Sequence, residues 1–285
     1  MSREHLLRHT ALVLLKRCQQ LHYFPELDHI PVEISQHIAQ VMGLGAARSL
    51  AVSAATRYRQ ETAIRRYLGI TPFYGTEGRR VALRAATAAA PLVTQRVDLV
   101  NAIIDELLRG RVELPAYSNL VQIAEDVASE GETDLIDLIT SRLNEAQRRQ
   151  LDHLLHTDLD QRRSAFNGLK RVPKRPSRDH LETLIEQCHW LDEFGDVDGL
   201  IAGIPYLKRR YYANYAMALA ADDLKDLIPA KRYTLVLTMI QHLRDRVRDD
   251  LGEMFVRRMA TIHQCAQEHL EQFLVRQRQR THAVG

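Results

Sequence analysis

The stretch PAKRYTLVLTMIQHLRDRVRDDLGEMFVRRMATIHQCA, residues 229–266, settles the fold class of this 285-residue chain. Its leading proline suits the first turn of a helix, because a backbone N–H group there has no partner within the helix and proline lacks that group. Residues 234–240, TLVLTMI, look like a strand in isolation. Basic residues precede them and a heptad-like run follows, so a helix is the better interpretation. The stretch therefore predicts one long helix from Pro229 to about Gln277.

The same helical pattern runs through the rest of the chain. Apolar residues recur at intervals of three and four, and no segment alternates with a period of two. Proline and glycine stand where helices should begin or end. In the first half, helices are predicted at about 3–22, 31–42, 49–67, 81–90 and 94–108, and then from Pro115 onwards. The predicted fold is all-α.

We predict consecutive small, helix-turn-helix-like modules, followed by a helical domain with the long C-terminal helix. The clearest linker is NGLKRVPKRPSR at 167–178, with two prolines, one glycine and five basic residues. The predicted parts are a first DNA-binding module, a second one, a basic linker, and a helical domain of linker or dimerisation type. Their borders are 1–72, 73–160, 161–180 and 181–285.

Charge is distributed unevenly along the chain. The formal net charge is only +3. Residues 1–115 carry +5, residues 116–160 carry −7, residues 161–180 carry +6 and the remainder carries −1. The two basic zones suit phosphate binding, and they equally suit a solvated surface.

Several classes of function are disfavoured by the sequence. There is no P-loop, no dinucleotide-binding glycine motif and no nucleophile elbow. The acidic loop at 192–199 departs from the calcium-loop template and predicts a helix cap instead. His5 and His9, like Cys18 and His22, are four residues apart, but no CxxC or HExxH companion makes either pair specific for zinc. No cofactor, metal or membrane partner is expected. Three scattered cysteines favour a cytoplasmic protein.

Five segments, taken together and in order, resemble a known family. They are FPELDHIPVEISQHIAQVMGL (24–44), TRYRQETAIRRYLGITPF (56–73), RVELPAYSNLVQIAEDV (111–127), SAFNGLKRVPKRPSRDHLETLI (164–185) and the stretch at 229–266. This ordered set resembles the N-terminal region of transposases of the Tn-three family, which move replicative class II transposons. The resemblance covers nearly the whole chain.

The resemblance implies a function. In that family the N-terminal region is a string of small helical DNA-binding modules that recognise the terminal inverted repeats of the transposon. Catalysis resides in an RNase H-like domain with an acidic triad, far downstream. We therefore expect a bacterial, nucleoid-associated protein that binds double-stranded DNA at transposon ends and is not itself an enzyme. It is expected to be a transposase fragment truncated at both ends, or a stand-alone end-binding regulator.

The candidate DNA-binding residues fall into three groups. Four arginines on the third predicted helix cannot all face one groove. Polar residues begin the helix after Pro115, where they could hold a phosphate, read a base, or simply cap the helix. Basic linker residues could follow a DNA backbone or remain solvated. With two arginines at the start of module two, the candidates are Arg57, Arg59, Arg65, Arg66, Arg79, Arg80, Tyr117, Ser118, Asn119, Gln122, Lys170, Arg171, Lys174 and Arg175.

Two alternatives remain open at this stage. The long helix carries an apolar stripe beside dense charge, which could form a homodimer or bind an intact transposase and act as a dominant-negative regulator. The stripe consists of Leu235, Leu237, Ile240, Leu243 and Val247. A non-functional remnant of a decayed transposon is the second alternative.

Overall fold

The computed structural model describes residues 3–43, 50–156, 164–170 and 178–283. Within these ranges the chain forms thirteen α-helices, one short 3-10 helix and no strand, apart from one isolated parallel bridge between Thr71 and Val112. The all-α prediction is confirmed. The chain divides into two compact units, a first unit of Met1–Thr133 and a second unit of Asp134–Gly285.

Five helices and most of a sixth build the first unit. They are α1 (Arg3–Leu21), α2 (Val32–Val41), α3 (Ala54–Leu68), α4 (Thr76–Ala89), α5 (Arg96–Arg109) and α6 (Tyr117–Arg142), with the 3-10 helix at Leu27–His29. The last of these, α6, crosses the border between the units. The sequence predicts a separate helix around Leu135, but α6 is continuous through Gly131, where the glycine faces open space.

The second unit holds the remaining helices. They are α7 (Glu145–Leu155), α8 (Ala165–Leu169), α9 (Arg178–Asp192), α10 (Val197–Leu200), α11 (Tyr206–Ala218), α12 (Ala221–Lys225) and α13 (Pro229–Ala283). The predicted long C-terminal helix is thus confirmed. The predicted division into four parts stays a prediction, including the linker, because residues 171–177 lie outside the described ranges.

Side-chain caps set several helix borders. Ser53 accepts a hydrogen bond from the backbone N–H of Thr56, so α3 begins a few residues later than the sequence predicts. Gly69 ends α3 in the left-handed conformation, with φ of +65°, which only glycine adopts without strain. In the acidic loop, Asp196 accepts from the N–H of Gly199 at 2.8 Å, which confirms that this loop caps a helix.

The first unit has separate apolar cores. Helices α1 to α3 enclose small clusters that include Val13, Leu14 and Ile64. Helices α4 to α6 enclose a larger one, with Ile103 and Leu107 fully buried. Each core stabilises its own helices by removing apolar surface from water.

The first part of α13 is the centre of the second unit. Its side chains from Leu235 to Val247 pack under α9 and α11 in the largest core of the described chain. The five residues of the predicted partner-binding stripe are among them, each no more than 3% exposed. That prediction is wrong, because the neighbouring helices of the same chain cover the stripe.

Some negative findings concern the described residues alone. None of their helices combines the length and apolar composition that crossing a membrane requires. No three His, Cys, Asp or Glu side chains in these ranges converge as metal ligands would. Of the predicted zinc candidates, His9 is buried with Nε2 2.9 Å from the Ser35 carbonyl oxygen, and Cys18 is a buried free thiol.

Candidate nucleic-acid interface

Helix α3 presents a polar and aromatic face to solvent. Tyr58, Arg59, Thr62, Arg66 and Tyr67 are all exposed on it. Arg59, Thr62 and Arg66 share one side of the helix at spacings of three, four and seven residues, and Tyr58 and Tyr67 lie at the two edges of that side. Within the described chain neither Arg59 nor Arg66 has an ion-pair partner, so both guanidinium groups are free to bind an external acceptor. We call these five residues the outer face of α3.

The opposite side of α3 packs on the rest of the first unit. Ile64 is buried in the core, and the Gln60 amide donates to the Leu7 carbonyl of α1 at 2.9 Å. The inner side therefore holds the helix in place while the outer face stays free.

Arg57 and Arg65 lie on the inner side, flanking Glu61. Arg57 Nε is 2.8 Å from Glu61 Oε1, and Arg57 also pairs with Glu26. Arg65 Nη2 lies 3.5 Å from the other Glu61 oxygen. These two arginines, predicted to contact DNA, are thus engaged inside the chain.

Arg65 also makes a bidentate pair with Glu113, a residue 48 positions along the chain. Arg65 Nε and Nη2 lie 2.8 and 3.2 Å from the two Glu113 carboxylate oxygens, and the guanidinium lies 4.8 Å from the centre of the Phe24 ring. Glu113 is only 8% exposed. Parallel N–H···O bonds of this kind are among the stronger hydrogen bonds in proteins.

Burial and the nearby carboxylates have opposite effects on the pKa of Arg65 and the same effect on the pKa of Cys18. Burial disfavours the Arg65 charge, but hydrogen bonding to Glu113 and the nearby carboxylates outweigh it and raise its pKa above the ordinary value. Burial, with the negative charge of Glu113, also raises the pKa of the neighbouring Cys18 thiol to about 11. At neutral pH the arginine is charged and the thiol is protonated, so Cys18 behaves as an apolar core residue.

Backbone hydrogen bonds also join the α1–α3 part of the first unit to its α4–α6 part. Thr71 N–H donates to the Arg111 carbonyl at 2.9 Å, and Glu113 N–H donates back to the Thr71 carbonyl at 2.9 Å. Leu114 N–H donates to the His22 carbonyl at 2.8 Å. These bonds hold the segment that follows α3 against the segment that precedes α6. With the Arg65–Glu113 pair, these bonds hold α1–α3 and α4–α6 in one fixed arrangement.

The beginnings of α4 and α6 lie side by side. The Asn119 side-chain amide donates to the Tyr74 hydroxyl at 3.2 Å, and Tyr74 directly precedes the N-terminal end of α4. Tyr74 and Tyr117 are 74% and 65% exposed, and Ser118 is exposed. Two helix N-termini and two exposed tyrosines therefore share one edge, where an anionic group would meet free N–H groups and positive helix ends.

The neighbouring Gln122 points towards its own helix, because its amide donates to Asp126 at 2.8 Å. Further along, α6 is acidic, with Glu125, Asp126 and Glu130. A polyanion would be repelled there, so any contact with DNA is confined to the first turns of α6.

Arginines line the exposed side of α4. Arg79 has no ion-pair partner among the described residues, whereas Arg80 lies 2.7 Å from Glu77 and Arg84 3.6 Å from Glu106. The Arg80–Glu77 pair is solvent-exposed and contributes little stability, so a phosphate could compete for Arg80, whereas Glu106 in the Arg84 pair is only 30% exposed.

Gly78 lets the first turn of α4 pack closely against the Phe73 backbone. A Cβ atom at this position would lie 2.6 Å from the Phe73 carbonyl oxygen and 2.7 Å from the Phe73 α-carbon. Only a residue without a Cβ lets the first turn of α4 rest on the preceding segment. The position of Tyr74 relative to α6 depends on this close approach.

Lys170, predicted as part of a basic linker, ends a helix of the second unit. Its ammonium donates to the Ala216 carbonyl at 2.9 Å and to the Leu219 carbonyl, and lies 4.1 Å from the centre of the Phe166 ring. Burial lowers its pKa. The remaining linker candidates, Arg171, Lys174 and Arg175, lie outside the described residues.

The structure thus divides the candidates by their surroundings. Arg59, Arg66, Arg79, Tyr117 and Ser118 are exposed and without ion pairs in the described chain, while Arg57, Arg65 and Lys170 bind partners within it. Sequence reasoning missed the tyrosines at positions 58, 67 and 74 and the carboxylates at 61 and 113. The spacing of Arg57, Glu61 and Arg65, four residues apart, is a signal that could have identified the inner cluster.

Comparison with known proteins gives two similarities. Residues 3–127 match a protein family described as a domain of unknown function, DUF4158. The chain is also 23% identical over 222 residues to the transposase for transposon Tn21 of Escherichia coli. The aligned part covers 76% of this chain and 22% of that transposase, so the chain spans about a fifth of the length of this relative. The resemblance to Tn-three family transposases is confirmed.

Proposed function

We propose that the chain binds the terminal inverted repeats of a transposon in a sequence-specific manner, without catalysing strand transfer. The relation to a transposase supports a role in DNA transposition. One structural observation carries the proposal, namely the outer face of α3, which offers two arginines without an ion pair in the described chain, between two exposed tyrosines. A helix of this kind can enter the major groove, where arginine recognises guanine by two hydrogen bonds.

We assign different roles to the exposed groups. Arg59 and Arg66 are two helical turns apart, about 10 Å along the axis, which suits contact with base pairs about three steps apart in one groove. The tyrosine hydroxyls on either side suit phosphate oxygens, which position a protein on the duplex. The shared edge of α4 and α6, with Arg79, supplies a second set of phosphate contacts.

The proposed location follows from the proposed partner. A protein that binds transposon ends in a bacterium works in the cytoplasm, on the nucleoid. The proposal does not depend on Arg57 or Arg65, whose guanidinium groups are already bound within the first unit.

The test is fluorescence anisotropy of a labelled duplex that carries the terminal inverted repeat of the encoding element, against a scrambled duplex, over a range of salt concentrations. We expect a preference of about 10³-fold or more and a steep salt dependence. Arg59→Ala and Arg66→Ala should each weaken specific binding by about 10-fold or more. The control is Arg149→Ala, which removes an exposed arginine, paired only with Glu145 of its own helix, from the second unit. Equal, weak binding of both duplexes would refute the proposal.

A further inference from the structure

Helix α4 has one side that faces solvent from its first turn to its last. Arg79, Leu83 and Thr87 are exposed there, whereas the opposite side of the helix packs in the core that α4 to α6 enclose. In the described chain, the shallow depression along the exposed side is lined by Gly75 and seven residues of α4, of which three are arginines and none is acidic. This surface therefore suits an extended anionic ligand.

A row of side chains that carry methyl groups runs along the middle of this side. Thr76, Leu83 and Thr87 are separated by seven and four residues, so they lie almost in line along the helix. We call these three residues the central row of α4. Leu83, the largest of them, is 37% exposed. Apolar atoms of this kind contact the 5-methyl group of thymine when a helix lies in the major groove.

Arginines stand on both edges of the central row. At 3.6 residues per turn, Arg79 lies about 60° to one side of the row and Arg84 about 80° to the other. Arg79 has no ion-pair partner within the described chain. A helix in the major groove runs between two phosphate backbones, one on each side of it. The two arginines are therefore placed to bind phosphates of both strands while the central row faces the base edges.

Two carboxylates of the described chain lie near this side, and arginines match both of them. Glu77 pairs with Arg80, which lies between the central row and Arg84. Glu106 of α5 lies 3.6 Å from Arg84 and also pairs with Arg109. When Arg84 turns towards a phosphate, Glu106 therefore keeps a cationic partner. Neither carboxylate then presents an uncompensated negative charge to DNA.

We propose that α4 is a second base-reading helix, whose central row contacts thymine methyl groups in the major groove while Arg79 and Arg84 bind the phosphates beside it. This inference rests on the proposed function, which assigns base recognition to α3 and only phosphate contacts to this part of the first unit. Leu83 and Thr87 are four residues apart, about 6 Å along the helix, which corresponds to about two base-pair steps. The recognised sequence therefore contains thymines, on either strand, about two steps apart.

The test uses the labelled duplex with the terminal inverted repeat of the encoding element, in which each thymine in turn is replaced by deoxyuridine. This replacement removes only the 5-methyl group of the base. We expect at least two positions, about two base steps apart, at which the wild-type chain binds about 4-fold more weakly, because burial of one methyl group contributes about this factor.

Variants of the central row assign these positions. Thr87→Ser keeps the hydroxyl and removes one methyl group, so it should bind the unmodified repeat about 4-fold more weakly and no longer respond to deoxyuridine at one position. Leu83→Ala should do the same at a second position, with a loss of about 10-fold. The matched control is Leu181→Ala, which shortens a leucine of nearly equal exposure, 38%, in the second unit and should change neither result. Thr87→Ser removes only an exposed methyl group and should melt like the wild type, so the test does not depend on the stability of Leu83→Ala.

The arginines on the edges should give a different result. Arg79→Ala and Arg84→Ala should weaken binding of the repeat and of the scrambled duplex by similar factors. Each should also reduce the slope of log K against log salt concentration by about 1. A loss confined to the repeat would contradict their assignment to phosphates.

The outcomes distinguish this inference from the proposed function. A wild-type chain with no preference for the repeat refutes both. A chain that prefers the repeat, and loses affinity for it in Arg59→Ala or Arg66→Ala, supports the proposed function. If deoxyuridine then weakens binding by Thr87→Ser and Leu83→Ala at the same positions as in the wild type, the assignment of α4 as a base-reading helix is overturned.

Discussion

The adjacent residues Arg65 and Arg66 should give opposite results when each is changed to alanine. Arg65 is bound to Glu113 by two hydrogen bonds, and the two side chains are 18% and 10% exposed. Arg66 is exposed and has no ion pair within the described chain. We expect Arg65→Ala to lower the stability of the first unit, and Arg66→Ala to lower DNA affinity without affecting stability.

The magnitude follows from what Arg65→Ala leaves behind. Glu113 would keep its charge at 8% exposure without its bidentate partner. Breaking a buried ion pair from one side costs about 3–5 kcal/mol, and the partial exposure of this pair places the loss near the lower limit, at about 3 kcal/mol. For a unit of this size that corresponds to a decrease in Tm of roughly 10 °C.

The assay combines differential scanning calorimetry with hydrogen exchange of peptides from the first unit, so that its unfolding is separated from that of the second. Arg65→Lys keeps the charge but not the planar fork, and should lose about 1–2 kcal/mol. The double variant Arg65→Met, Glu113→Leu removes both charges and should recover most of the stability. Arg66→Ala should stay within about 0.5 kcal/mol of the wild type.

The reasoning would be refuted if Arg65→Ala unfolded like the wild type while losing specific DNA binding. That pattern would mean that Arg65 leaves Glu113 to contact DNA. A large loss of stability in Arg66→Ala would equally contradict the assignment of the outer face of α3.

Three further predictions concern other parts of the molecule. Gly78→Ala should destabilise the first unit by at least about 2 kcal/mol in urea unfolding, because the new Cβ would clash with the Phe73 backbone. Gly131→Ala should instead stabilise α6 by about 0.5–1 kcal/mol, because nothing lies near the new Cβ and alanine favours a helix more than glycine does. Inserting base pairs between the DNA sites contacted by α3 and by α4–α6 should weaken binding at least about 10-fold, because hydrogen bonds hold these two parts of the first unit together and they cannot separate to follow the sites. Gel-shift titration measures this loss of affinity. Burial, with the charge of Arg246, lowers the pKa of His242 below 6.5. Below about pH 6.5 the unfolded chain therefore binds more protons than the folded one, and the second unit should lose stability until the pH falls below the lowered pKa of His242. His242→Gln should reduce this pH dependence of the melting temperature in thermal scans.

The helices were largely predictable because their signals are local. The spacing of apolar residues, Pro31 and Pro229 at helix starts and Gly69 at a helix end act over a few positions, and the structure places helices there. The continuity of α6 was missed, since glycine disfavours a helix only by about 1 kcal/mol and packing on both sides of Gly131 outweighs it.

The candidate site was predictable in part. The sequence located the basic helix and the polar start of α6, because arginine-rich and polar runs are visible locally. Helical spacing showed that the four arginines of α3 do not share one face, but it did not show which of them are bound inside the chain, since all four have the same chemistry. Lys170 likewise looked like a solvated linker residue, although it binds the end of α11.

The sequence by itself therefore determined that the chain is helical, where most helices begin and end, and which transposase family it resembles. Only the tertiary structure decided which side of each helix is free. Glu113 lies 48 residues from Arg65 in the chain, and folding brings the two side chains together. Helices α9 and α11 bury Leu235 to Val247 of α13, whereas residues 255–276 of the same helix are exposed to solvent. The physical reason is that periodicity defines the faces of a helix locally, whereas burial depends on residues distant in the chain that folding brings together.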